Sequence, residues 1–207
     1  MSDAYETALL KAWGPQADSA HDIAHIRRVW SNCQALSTEQ TDQDVLYASC
    51  IFHDLVNLPK DSPNRSDASR LSAEAAAPLL LALGFEQSKL VAVQHAIIAH
   101  SYSANIAPET EEALILQDAD RLDALGAIGI ARMFAISGAL GRALYDPDDP
   151  LAQSRELDDT RFAIDHFETK LFKLPEMMNT EKGRALARAR REEMRAFRAS
   201  LLESAVN

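Results

Sequence analysis

The sequence predicts an all-α protein that folds as a single-domain helical bundle. Apolar residues recur at helical spacing along most of the 207 residues, and no stretch alternates apolar and polar residues as a half-buried strand does. The eight prolines fall mostly between the periodic segments rather than inside them. A chain of this length can enclose one sizeable core, so we expect one domain.

Composition and charge exclude several classes of function. Apolar residues make up 47% and charged residues 25%, as in ordinary globular proteins. The formal charge of −10 argues against nucleic acid as a partner, because that binding needs Lys and Arg to neutralise phosphates. An anionic substrate must therefore be met locally, by a metal or a few placed cations. We find no membrane span or secretory signal, and Cys33 and Cys50 have the pattern of packed, reduced thiols, so we expect a cytoplasmic protein.

Helix starts and stops divide the chain into predicted elements. The predicted helices cover residues 2–13, 22–36, a segment capped by Thr41 or Asp42 that carries His53 and Asp54, residues 68–83, 86–100 and 109–117, an apolar helix with aspartates and glycines over 117–133, residues 162–173, and a C-terminal helix capped by Thr180. Pro78 is expected to kink or split its helix, and Gly126 and Gly129 to admit a neighbouring helix. The acidic loop 141–159 has the length of a lid, a dimer contact or a mobile segment.

The dipeptide His53-Asp54 is the first pair of candidate functional residues. Side chains of neighbouring helical residues point about 100° apart, so both could reach one point beside the axis. A single metal ion would attract both groups. Taken alone, a buried His next to an Asp is more often part of a structural network.

Further candidate ligands stand on other predicted helices. His21 and His25 are one turn apart, and His25 lies beside a buried stripe. Asp120 lies among apolar residues, where an unpaired carboxylate would be costly and needs a cation. His25, His53, Asp54 and Asp120 would together offer two imidazoles and two carboxylates to one divalent ion (Mn, Ni, Fe, Co, Zn or Mg), with manganese as the working choice.

The order His25, His53-Asp54, Asp120 resembles the H…HD…D signature of the HD superfamily of metal-dependent phosphohydrolases. Further runs are similar to its bacterial YedJ/YpgQ-type branch, and they extend over residues 20–200: HDIAHIRRVW, FHDLVN, AIIAHSYS, ILQDADRLDALGAIGIAR, DHFETKLFKL and MNTEKGRALA. The resemblance implies one HD domain over residues 1–207, with a core over about 20–136 and a helical extension over about 158–203.

Carried over by position, the resemblance makes His25, His53, Asp54 and Asp120 the metal ligands, with His25 preferred to His21 and Asp120 to Asp118. His95 and His100 become pocket residues that contact phosphate or move a proton, or ligands of a second metal. Many HD enzymes have an acidic residue shortly after His-Asp, whereas Leu55, Val56 and Asn57 stand here. Asp123 is the substitute we expect, either as general base or as a residue that orients a metal ligand.

The resemblance implies a hydrolase of phosphorylated small molecules, in its finest form a (d)NTP pyrophosphohydrolase that uses a metal-activated water. The candidate substrate-binding residues are Arg28, Asn57, Lys60, Arg65 and Arg121. The alternatives are a phosphomonoesterase or cyclic-nucleotide phosphodiesterase on the same site, a nucleotide sensor without turnover, and a helical scaffold. The candidate protein partner is a second copy of this chain, in a homodimer.

Overall fold

The structure, a computed structural model, describes residues 2–14, 22–58, 64–101 and 104–206. Within these ranges there is no β-strand, and one isolated bridge pairs Ala143 with Phe162. The α-helices are α1 (Ser2–Trp13), α2 (Ile23–Leu36), α3 (Gln43–Phe52), α4 (Ala68–Ala82), α5 (Leu90–His100), α6 (Glu111–Asp123), α7 (Gly126–Ala139), α8 (Asp165–Thr169) and α9 (Glu181–Val206). Short 3₁₀ helices cover Arg65–Asp67, Gln87–Lys89 and Leu171–Met177. The predicted all-α class is confirmed.

The chain forms two compact units, Met1–Asp120 and Arg121–Asn207. The predicted bounds of a core over about 20–136 and an extension over about 158–203 stay predictions. No single helix in the described ranges has the length and hydropathy of a membrane span; α6 and α7, which are bent at their junction, meet that criterion only as a pair.

Aromatic packing joins α1 to α3 in the first unit. Tyr5 is buried and stacks on Tyr47 at 5.7 Å between ring centroids, and its ring lies 5.9 Å from that of Phe52. Phe52 and Leu9 are both fully buried. Large buried rings contribute more apolar area than any other side chains, so this cluster holds the end of α3 in place.

Polar side chains and a glycine cap the helix ends, and the caps predicted for α3 and α9 are present. The Asp22 side chain accepts the backbone N–H of His25 at 2.8 Å, and Asp42, not Thr41, caps α3. Thr180 Oγ1 accepts the N–H of Gly183 at 2.9 Å at the start of α9. Gly84, at φ +81°, ends α4 in the left-handed conformation that glycine adopts without strain.

Two predictions for the first unit require correction. Helix α3 ends at Phe52, so His53 is its C-cap and Asp54 lies beyond it, rather than both lying within a helix. Helix α4 continues through Pro78, so the split expected there is wrong, whereas the kink stays a prediction. Pro78 has no N–H to donate to the carbonyl of Glu74, four residues earlier. Glu74 is exposed, so water can hydrate that carbonyl instead.

The stretch 117–133 forms two helices rather than one. Helix α6 extends to Asp123, and α7 begins at Gly126 with φ +73°. A Cβ at Gly126 would lie 3.3 Å from Oε2 of Glu193 on α9, which is the close approach expected of it. At Gly129 the close neighbour is instead the backbone carbonyl of Ala124, in the turn before α7.

In the second unit, the predicted helix 162–173 was also wrong in extent. Only Asp165–Thr169 is α-helical, and Leu171–Met177 is a 3₁₀ helix that contains Pro175. Phe167 is fully buried there, and its ring lies 5.6 Å from that of Phe172. The tighter helix accommodates the proline, which an α-helix interior would not.

The acidic loop 141–159 is anchored within the second unit. Ala143 donates its N–H to the carbonyl of Arg161 at 3.0 Å and accepts the N–H of Ala163 at 2.8 Å. The guanidinium of Arg155 makes a bidentate pair with the buried carboxylate of Asp165 and reaches Asp146 at 3.4 Å. A buried carboxylate without such a partner would be costly, so this pair fixes the loop.

We predict that Gly129→Ala lowers the free energy of unfolding by about 2 kcal/mol, because the added methyl group collides with backbone that must shift. Urea denaturation measures the change. Gly138→Ala is the control in the same helix: a Cβ added there would meet no neighbouring group within 4 Å, so the substitution should be neutral or stabilising by up to about 1 kcal/mol. Equal effects of the two substitutions would contradict the packing described for Gly129.

Candidate metal centre

The termini of four helices position the candidate ligands. His25 lies in the first turn of α2, and His53 and Asp54 follow the last residue of α3. His100 is the last residue of α5, and Asp120 lies near the end of α6. Side chains at helix ends can converge on one point without helix backbones having to cross there.

The carboxylate of Asp54 is the centre of the cluster. Its Oδ2 lies 3.6 Å from Nε2 of His25 and 3.6 Å from Nε2 of His53, and its Oδ1 lies 3.7 Å from Nε2 of His100. His25 Nε2 also lies 3.5 Å from Oδ1 of Asp120. Three imidazoles and two carboxylates therefore converge.

Backbone contacts fix the tautomers of two histidines. Nδ1 of His53 lies 2.7 Å from the carbonyl of Cys50, and Nδ1 of His100 lies 2.5 Å from that of Ile97. A carbonyl can only accept, so each Nδ1 carries a proton, and Nε2 keeps its lone pair whenever the ring is neutral. Nε2 of His53 is buried and has no hydrogen-bond partner among the residues that the structure describes. This is the orientation that backbone carbonyls impose on metal-binding histidines.

Burial and mutual charge set the protonation states. Burial lowers the pKa of His53 to about 4, so its imidazole is neutral at pH 7. Burial alone would raise the pKa of Asp54, but the neighbouring imidazoles of His53, His100 and His25 hold it well below its usual value. Burial opposes protonation of His100, but the neighbouring carboxylate of Asp54 outweighs this and raises the pKa of His100. A neutral imidazole beside an ionised carboxylate is the donor state that a divalent ion requires.

The spacing of these atoms suits a shared ion. One ligand atom each from His25, His53 and Asp54 lie within 4.8 Å of one another. Two donors that each lie about 2.1 Å from one ion are separated by about 3.0–4.2 Å, depending on the angle between them. The separations of 3.5–3.7 Å fall in that range and are too long for well-formed hydrogen bonds. The residues present therefore fit a divalent metal.

Exposure distinguishes the base of the site from its opening. The side chains of His25 and His53 are 1% and 0% exposed, whereas those of Asp54 and Asp120 are 20% and 32% exposed. Solvent therefore reaches the cluster along its carboxylate edge, with the imidazoles beneath.

Two of the predicted catalytic residues have other contacts. Nε2 of His95 accepts the backbone N–H of Glu109 at 2.9 Å, which ties α5 to the segment before α6. Asp123 is buried in the second unit and forms an ion pair with Arg132. Their proposed roles as pocket residue and general base stay predictions.

The predicted substrate-binding residues have varied surroundings. Arg121 donates to the carbonyl of Met177 at 2.5 Å within the second unit. Arg28 is half-buried on α2, and Asn57 is exposed just after the His-Asp turn. Lys60 and the side chain of Arg65 lie outside the described residues. Their binding roles also stay predictions.

Sequence reasoning missed two buried amides that support the site. Asn32 Nδ2 donates to the carbonyl of Ala119 at 3.0 Å, next to Asp120, and Gln117 Nε2 donates to the carbonyl of Ala99 at 2.7 Å, next to His100. The available signal was an amide residue at a buried position of an apolar helix face, since buried amides require partners.

It also missed Trp13, whose indole N–H donates to the backbone carbonyl of Asp54 at 3.2 Å. These residues are 41 positions apart, and nothing in the local pattern pairs them.

Comparison with known proteins assigns the family. The profile of the HD domain family matches residues 22–125, a range that includes all five cluster residues. The chain is 33% identical over 184 residues to YpgQ of Bacillus subtilis, an uncharacterised protein, covering 86% of this chain and 82% of that one. A crystal structure of Bacillus subtilis YpgQ in complex with ADP superposes with a TM-score of 0.75 at 31% identity, over 99% and 97% of the two chains.

A Bacillus thuringiensis structure described as an HD-superfamily hydrolase superposes with a TM-score of 0.72 at 30% identity, over 98% and 97% of the two chains. The predicted HD-type fold and the resemblance to the YpgQ-type branch are confirmed. This chain belongs to the HD domain family.

Proposed function

We propose that this chain is a metal-dependent phosphohydrolase acting on nucleotides and, more specifically, a (d)NTP pyrophosphohydrolase. The observation that carries the proposal is the buried Nε2 of His53, which faces the Asp54 carboxylate in a ring that is oriented by the contact of Nδ1 with a backbone carbonyl. An apolar interior would not keep an imidazole nitrogen without a hydrogen bond unless another partner occupied the site.

His25, His53, Asp54 and Asp120 would hold the ion, and His100 stands ready as a further ligand or as a group that exchanges a proton. A bound divalent ion would lower the pKa of water and fix an anionic phosphate oxygen at the carboxylate edge. The mixed nitrogen and oxygen donor set suits Mn²⁺, Fe²⁺, Co²⁺, Ni²⁺ or Zn²⁺, with Mg²⁺ also included.

His100 has the properties of a proton donor at Nε2. Asp54 raises its pKa, so a proton on Nε2 is stabilised at the point where a phosphate oxygen would approach. Nδ1 is tied to Ile97 and keeps the ring oriented for that transfer.

A nucleotide substrate is supported by the ADP complex of Bacillus subtilis YpgQ, to which this chain is similar over almost its whole length. Because the chain carries a net charge of −10, the polyphosphate needs local cations. We propose that this binding is provided by Arg28, Arg121, Lys60, Arg65 and Asn57.

We also propose the cytoplasm as the compartment in which the protein acts.

A nucleotide sensor without turnover is the second candidate. No acidic residue follows Asp54 within the next three positions. Leu55 is buried there, and Ser72 engages both the N–H and the carbonyl of Val56.

We predict that Asp54→Ala abolishes metal binding and hydrolysis together, because the carboxylate of Asp54 reaches all three imidazoles. Metal analysis of the purified proteins and a nucleotide hydrolysis screen in Mn²⁺, Ni²⁺ and Mg²⁺ measure both. Wild-type protein should hold about one metal per chain and lose it in the variant. Asp148→Ala, which removes an exposed loop carboxylate, should retain both properties.

The products distinguish the reactions. Pyrophosphate indicates the pyrophosphohydrolase, orthophosphate a phosphomonoesterase or another phosphatase, and a linear nucleotide from a cyclic one a phosphodiesterase. Metal with saturable nucleotide binding but no turnover would indicate the sensor. If the wild-type protein binds none of the three ions, Mn²⁺, Ni²⁺ and Mg²⁺, the proposed site is refuted.

We predict a pH dependence of stability in the metal-free protein that His53 causes. Its pKa is about 4 in the folded state and about 6.5 in an unfolded chain, so acidification protonates the unfolded state first. The stability is fully present above pH ~6.5 and falls as the pH drops towards ~4. Between pH 7 and pH 5 in EDTA, wild type should lose about 1–2 kcal/mol more than His53→Gln, measured by urea denaturation. Parallel losses in the two proteins would contradict the assignment to His53.

A further inference from the structure

The N-terminal helix contacts the His-Asp turn directly. Trp13, the last residue of α1, donates its indole N–H to the backbone carbonyl of Asp54 at 3.2 Å. Helix α1 lies outside residues 22–125, the range that the HD domain family profile matches. The contact is therefore supplied to the site by a segment beyond the matched domain.

The peptide that Trp13 holds is at the end of a helix, where backbone groups lack helical partners. Leu55 donates its N–H to the carbonyl of Phe52 at 3.1 Å, which closes the turn. On the far side of Asp54, Val56 donates its N–H to Ser72 Oγ at 3.0 Å. Trp13 from α1 and Ser72 from α4 thus hold the turn at two points.

The orientation of this turn matters because of what the Asp54 side chain must reach. Its two oxygens lie 3.6–3.7 Å from the Nε2 atoms of three histidines, each on a different helix or helix end. A rotation of the Asp54 peptide would move both oxygens relative to all three imidazoles. Displacements of about half an ångström are enough to degrade a metal or catalytic site.

Helix α1 is itself firmly anchored. Tyr5 is 5% exposed and Leu9 is fully buried, and the Tyr5 ring packs on Tyr47 and Phe52 of α3. Trp13 is half-buried and packs against the same core. A donor at the end of an anchored helix has little conformational freedom left to lose when it makes its hydrogen bond.

We propose that Trp13 is a positioning residue of the metal centre: its indole N–H holds the Asp54 peptide so that the carboxylate faces the three imidazoles. The inference rests on the proposed metal-dependent function, because it concerns the affinity of that site. It assigns to α1 a role in metal binding beyond its packing.

The test is Trp13→Phe, which keeps an aromatic ring and removes the N–H. The chain has two tryptophans, and Trp30→Phe is the matched control, since Trp30 is also half-buried and its ring packs on Tyr47 at 4.7 Å. Isothermal titration with Mn²⁺ at pH 7 measures affinity, and thermal melting followed by circular dichroism measures stability. Trp13→Phe should weaken Mn²⁺ binding by about three- to tenfold, the worth of one hydrogen bond, and Trp30→Phe by less than about twofold.

A second measurement is the tryptophan fluorescence of the same variants, which can be recorded whether or not stability or activity changes. In Trp30→Phe the only remaining indole is Trp13, so its fluorescence should change on addition of Mn²⁺ and saturate with the calorimetric curve. In Trp13→Phe the remaining Trp30 should not respond.

The outcomes separate this inference from the function beneath it. Equal Mn²⁺ affinities of wild type and Trp13→Phe, or Trp13 emission that does not change when Mn²⁺ binds, would overturn the positioning role. Neither result would contradict the metal site itself. Failure of wild-type protein to bind Mn²⁺ would overturn the metal site and this inference together.

Discussion

The carboxylate of Asp54 is the constraint on which the first unit depends. Among the residues that the structure describes, it is the one acidic group that reaches His25, His53 and His100, which come from α2, from the end of α3 and from α5. Imidazoles that are less than a tenth exposed can be brought together only if something compensates for their lost hydration. Asp54 compensates for part of this, and an ion held between carboxylate and imidazoles would compensate for more. The helices must therefore meet at their ends, where side chains can point inward together.

Three supporting contacts follow one pattern, in which a side chain fixes the backbone at or next to a ligand rather than the ligand side chain. Asn32 holds the carbonyl before Asp120, Gln117 holds the carbonyl before His100, and Trp13 holds that of Asp54. Cys50 and Ile97 offer carbonyls to Nδ1 of His53 and His100. Fixing the backbone leaves the ligand atoms themselves uncommitted, so they remain available for binding.

Local pattern was sufficient to predict the class of the fold and most helices, whereas the family resemblance selected His25 and Asp120 as candidate ligands. The buried stripe of α2 and the caps at Asp42 and Thr180 depend on periodicity and on short-range hydrogen bonds, which the sequence exhibits directly. The errors occurred where the backbone conformation at a break, rather than the periodicity of the side chains, determines where a helix ends. The apolar run through 117–133 continues across the break after Asp123, and only the approach of the Ala124 carbonyl to Gly129 reveals why a glycine is needed there. The contact of Trp13 with Asp54 joins residues 41 apart and has no periodic signal.

The placement of His53 and Asp54 beyond α3 has a physical advantage over the continuous helix that the periodicity predicted. Within a helix the Asp54 carbonyl would be committed to an N–H four residues later, and the side-chain directions would be fixed at about 100° to each other. After the C-cap, the peptide is free to turn until Asp54 Oδ2 stands 3.6 Å from both His25 and His53, and its carbonyl is then free to accept from a side chain. A turn with that freedom needs external contacts to select one orientation. Trp13 and Ser72 supply those contacts from two different helices, so the precision of the centre depends on the packing of α1 and α4 as well as on the ligands themselves.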